Sequence, residues 1–88
     1  MSSETGPELP VTFAAFVVSL AQSALMHLGE VNNPGTGKPQ PDLLLARNTI
    51  DLLGMLEQKT KGNLDEEETK LLETILFDLR SKFVAKAP

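Results

Sequence analysis

From Val11 to Leu28 the chain runs for eighteen residues, VTFAAFVVSLAQSALMHL, without a formal charge. Thr12, Ser19, Gln22, Ser23 and His27 are its polar residues, and most of them fall in one narrow stripe at 100° per residue. A helix that is apolar over the rest of its circumference has to be covered over most of that circumference. The chain has 88 residues, room for about two companion helices, and in a three-helix bundle each helix keeps part of its surface wet. Another molecule is therefore expected to share the burial: a second copy, another protein or a membrane.

A membrane span fits poorly. It calls for about 20 predominantly apolar residues, whereas this segment is shorter, carries five polar residues and has its first downstream basic residue at Lys38. Nor does it present the basic polar face of an interfacial anchor. Self-association fits better. Ala15, Ser19 and Ser23 are spaced by four, and Ala14 and Ala21 by seven; small residues at such spacings let two helix backbones approach closely. A homodimer built around this helix is the expected arrangement, close packing within one chain its alternative.

Two further helices follow. The first helix, 12–28, has Thr12 as N-cap and ends at Gly29, where a left-handed closing residue is wanted. Glu30 to Pro41, with three Pro and two Gly, reads as a loop. The second helix spans about 42–61 before Gly62-Asn63, with Leu45, Ala46, Thr49, Ile50, Leu52, Leu53 and Leu56 on its core face and Gly54 in its middle. The third spans about 65–85, opened by a capping-box pair, Asp65 and Glu68, and striped by Leu71, Leu72, Ile75, Leu76, Leu79 and Phe83. Residues 1–10 are expected to be a disordered tail and 11–88 one all-α domain.

Composition excludes much chemistry. Eight Lys and Arg against twelve Asp and Glu leave a net charge of −4, with no field to attract nucleic acid. No cysteine means no disulfide, thiol nucleophile or thiolate metal site, and one histidine cannot make a multi-His site. The missing cysteines and the lack of a signal-like start point to the cytoplasm. Gly35-Thr36-Gly37-Lys38 resembles a phosphate-loop fragment, but Asn32 and Pro39 stand where the full pattern needs Gly and Ser/Thr. His27 has neither a nucleophile on a strained turn nor an orienting carboxylate beside it. Asp65 to Glu68 read as a solvated cluster at the positive end of a helix dipole. No catalytic, cofactor-binding or metal residue is expected. Leu44 and Met55 on the second helix, and Phe77 and Val84 on the third, fall among polar neighbours. With Ala15, Ser19 and Ser23 they are the expected partner or dimer interface residues.

The strings VTFAAFVVSLAQSALMHLGEV and ARNTIDLLGMLEQKTKGNLDEEETKLLETILFDLRSKFV, with the PGTGK loop between them, resemble a bacterial domain-of-unknown-function family of short helical proteins. The most specific pieces are His27-Leu28-Gly29-Glu30, Ile50 to Leu56, and Thr60 to Leu64. That resemblance implies no reaction and no catalytic residues. In size and sequence the chain is also similar to a polarity adaptor of gliding bacteria. This second likeness implies protein partners, a response-regulator-like scaffold and a Ras-like small GTPase, and stimulation of nucleotide exchange. The expectation is a non-enzymatic interaction module. Its alternatives are a membrane-associated helical subunit, or an enzyme using His27 and nearby carboxylates.

Overall fold

The computed structural model describes residues 11–87. Three helices carry the fold, α1 (Phe13–Leu28), α2 (Leu43–Lys59) and α3 (Glu66–Lys86), with a two-residue hairpin, β1 (Asn32–Asn33) and β2 (Lys38–Pro39), between the first two. The expected tail, 1–10, lies outside the described residues.

Each helix begins where a side chain can take up a free backbone N–H. The Thr12 hydroxyl accepts from Ala15 N at 3.0 Å and the Asp42 carboxylate from Leu45 N at 3.1 Å. At α3 the exchange is reciprocal: Glu68 N donates to Asp65 at 2.7 Å, and Asp65 N to Glu68 at 3.0 Å. The ends are equally local. Gly29, at φ 80°, donates to Met26 O while Glu30 donates to Leu25 O, the paired bonds of a Schellman close. α2 stops two residues before the expected 61. There the Thr60 hydroxyl and amide both bond to Leu56 O, at 2.7 and 3.0 Å, and Asn63 N turns back to Thr60 O.

The segment 30–41 is more ordered than a plain loop. Asn32 pairs with Pro39 and Asn33 with Lys38 in antiparallel register. Asn33 organises the turn: its side-chain oxygen accepts from Gly35 N, its carbonyl from Gly37 N, and its amide donates to Gln40. Gly37, at φ 72°, closes it. No apolar alternation announces strands this short, so only the turn residues were legible.

The chain then returns. Asp42 N donates to His27 O at 2.6 Å, tying the start of α2 to the end of α1. Lys86, at the end of α3, reaches Glu30 at 3.2 Å, so the close of α3 also lies at this end of the molecule. All three helices pack on one another around Val17, Ala21, Ala24 and Leu28 of α1, Ala46, Ile50 and Leu53 of α2, and Leu72, Leu76 and Leu79 of α3. Among the described residues no polar side chain is buried.

Two parts of the expected core are not in it. Leu45 and Leu52 are exposed rather than facing inward. The reason is angular: Ala46, Ile50 and Leu53 point at the two neighbours, and residues about 100° away have nothing left to cover them. Phe16 and Val18 on α1 stay exposed for the same reason, so the two companion helices do leave part of that uncharged segment uncovered.

Candidate interaction surface

Among the described residues ten large apolar side chains are exposed, as many as the ten residues that form the buried core. A few single exposed apolars are ordinary. These are not scattered singly, because eight of them gather on α1, α2 and α3 faces turned away from the core.

The α2 stripe is the widest. Leu44, Leu52 and Met55 follow at steps of eight and three, and Leu45 precedes Leu52 by one heptad, so all four fall on one side of the helix. Leu44 is 70% exposed and Met55 48%. The sequence carries a direct signal for this surface in Leu43-Leu44-Leu45. Three consecutive helical residues span about 200°, so a helix buried on one side cannot hide all of them. The expectation singled out Leu44 and Met55; Leu45 and Leu52 belong with them.

The α3 stripe has fewer apolar residues and more charge. Phe77 and Val84, seven apart, are 75% and 73% exposed. They wall a groove of about 630 Å³ whose other sides include Leu76, Glu73 and Arg80 of α3 and Glu57 of α2. A second hollow of about 310 Å³ continues beyond Arg80 toward Arg47 and Asp51. Arg80 stands between the two, and its guanidinium reaches over α2 at Gly54: a Cβ at position 54 would lie 3.0 Å from Arg80 Nη2. The glycine in mid-helix thus has a neighbour that occupies its missing side chain's place. Sequence reasoning could not assign it that neighbour, because the two residues are 26 positions apart.

The small-residue stripe of α1 is on the surface. Ala15 and Ser19 are exposed and Ser23 half-buried. The Ser19 hydroxyl donates to Ala15 O at 3.0 Å, within its own helix. Ala21 faces the core. The residues weighed for chemistry sit in the following structural settings. His27 is half-buried and its carbonyl receives the Asp42 amide. Gly35 to Lys38 make the hairpin turn. Glu68 closes the capping box while Glu66 and Glu67 face solvent. Among the described residues no group of three or more His, Cys, Asp or Glu could hold a metal ion, and no helix is long and apolar enough to cross a membrane.

A family comparison matches residues 10–85 to a domain of unknown function, DUF1844. The chain belongs to that family. Comparison with curated proteins and with solved structures returned no match. The DUF1844 span takes in α1, the hairpin, α2 and nearly all of α3, so both exposed stripes lie inside the family's domain.

Proposed function

We propose that this DUF1844 chain is a non-enzymatic adaptor of the RomX kind, acting in the cytoplasm between a response-regulator-like scaffold such as RomR and a Ras-like GTPase such as MglA, and promoting nucleotide exchange in cell polarity. One observation carries the interaction reading: exposed apolar stripes on two different helices, Leu44, Leu45, Leu52 and Met55 on α2 and Phe77 and Val84 on α3. An adaptor needs more than one such surface. Apolar anchors ringed by charge are what a protein partner buries at the centre of an interface. The GTPase part rests on the likeness of size and sequence to RomX.

Exchange stimulation asks for no nucleophile on this chain. A helical face that binds the GTPase better without GDP than with it shifts the equilibrium by that difference in affinity alone, about 1.4 kcal/mol for each factor of ten. The test uses purified Ras-like GTPase loaded with fluorescent GDP, with scaffold and this chain added separately and together. Accelerated release with the chain present supports the proposal. Leu44→Glu and Phe77→Glu are expected to weaken partner capture while helicity by circular dichroism stays unchanged. Release and capture that ignore both the chain and the two substitutions would overturn it.

A further inference from the structure

We propose that the α3 face is occupied by a second copy of this chain, packed antiparallel, α3 against α3, across a twofold axis near Phe77. The charge pattern of that face selects both the occupant and the direction. Read along its exposed side, α3 presents Lys70, Glu73, Phe77, Arg80 and Val84, at alternating steps of three and four. A twofold axis through Phe77 brings Phe77 onto its own counterpart. It sets Glu73 beside the partner copy's Arg80, and Arg80 beside the partner copy's Glu73. Val84 then meets the aliphatic stem of the partner copy's Lys70. A closed interface of this type is isologous, each patch meeting itself reversed. The parallel alternative sets Glu73 on Glu73 and Arg80 on Arg80, like charges at both places.

The groups involved are free to take part. Among the described residues Glu73, Arg80 and Lys70 make no ion pair within 4.0 Å, whereas Lys82, Lys86 and Arg47 do. Phe77 and Val84 are the two exposed large apolar residues of α3. The groove beside them carries Glu57 and Glu73 on its walls together with the chain's own Arg80, so the partner copy's guanidinium meets two carboxylates against one cation in that opening. The α1 stripe makes a weaker seam. It exposes Phe16 and Val18 beside its small residues but carries no charge to set a direction, and the Ser19 hydroxyl is already engaged with Ala15 O. This assignment deepens the adaptor reading by giving one of its two stripes an occupant. It leaves the α2 stripes of both copies free for other proteins, so Phe77→Glu weakens partner capture by separating the two copies and their paired α2 stripes.

Sedimentation equilibrium of the full chain at high micromolar concentration tests the pairing. The wild type is expected at twice its 9.5 kDa mass. Phe77→Glu is expected to be monomeric, and Glu73→Arg and Arg80→Glu each to weaken the dimer by at least about tenfold, since each reversal sets two like-charge pairs across the seam. Mixing the two reversal variants is expected to restore a dimer containing one chain of each, because every 73–80 contact is then opposite in sign. Circular dichroism of each variant keeps a folding defect distinct from a seam defect. A monomeric wild type, a dimer indifferent to the reversals, or a mixture that fails to reassociate would each overturn the pairing. A monomer that still captured its partners would do so while leaving the adaptor reading intact.

Discussion

The Arg80 guanidinium lies over Gly54, so close that a Cβ there would stand 3.0 Å from Nη2. Two opposing effects meet at this point. A glycine inside a helix costs about 1 kcal/mol relative to alanine. An added methyl, in turn, has to displace the tip of an arginine, which is the far end of a flexible, exposed side chain. The displacement is the smaller effect. Gly54→Ala is expected to raise stability by up to about 1 kcal/mol, read as a higher denaturant midpoint at unchanged slope.

Gly29 is expected to behave in the opposite way. It sits at φ 80°, and a Cβ there would lie 3.1 Å from Pro41 Cβ, part of a rigid ring. Gly29→Ala combines left-handed strain with a contact that cannot swing away. A loss of about 1–2 kcal/mol is expected, measured by chemical denaturation.

The capping box at α3 is predicted to matter through its hydrogen bonds rather than its charge. Asp65→Ala removes the acceptor of the Glu68 amide and is expected to cost about 1 kcal/mol. Asp65→Ser, which keeps an acceptor, is expected to retain most of that stability. Thermal unfolding of the two variants side by side checks it, and equal losses in both would refute the hydrogen-bond account.

Leu53 and Leu76 are fully buried at the junction of the helices, at 0% and 1% exposure. Replacing either with alanine is expected to cost about 2–5 kcal/mol. In a chain this small, which buries only some 60–65% of its unfolded surface, either change is expected to leave a substantial unfolded fraction at room temperature, seen as lost ellipticity.

The ion pair of Glu30 with Lys86 joins the end of α3 to the end of α1 at 3.2 Å, with both side chains a third or more exposed. Exposed pairs contribute about 0–1 kcal/mol and weaken with salt. Lys86→Ala is expected to lower stability by less than about 1 kcal/mol. That difference from wild type is expected to shrink further in high salt, as followed by denaturant titrations at two ionic strengths.

What the sequence by itself determined depends on neighbours within about five residues. Thr12, Asp65 with Glu68, and Gly29 begin and end helices through bonds that stay inside one turn, so their spacing along the chain already contains the geometry. The periodicity of Leu72, Leu76 and Leu79 likewise names one face of α3 without reference to any other element. What only the tertiary structure decided is how wide each buried face is and who stands across from it. Leu45 and Leu52 share the apolar character of Leu53, yet they lie outside the core because two partner helices subtend a limited angle around α2. Gly54 needed Arg80, and Lys86 needed Glu30, and no local pattern joins residues so far apart along the chain. Hydrogen bonding in a helix is set by covalent connectivity, while burial is set by where the rest of the molecule stops.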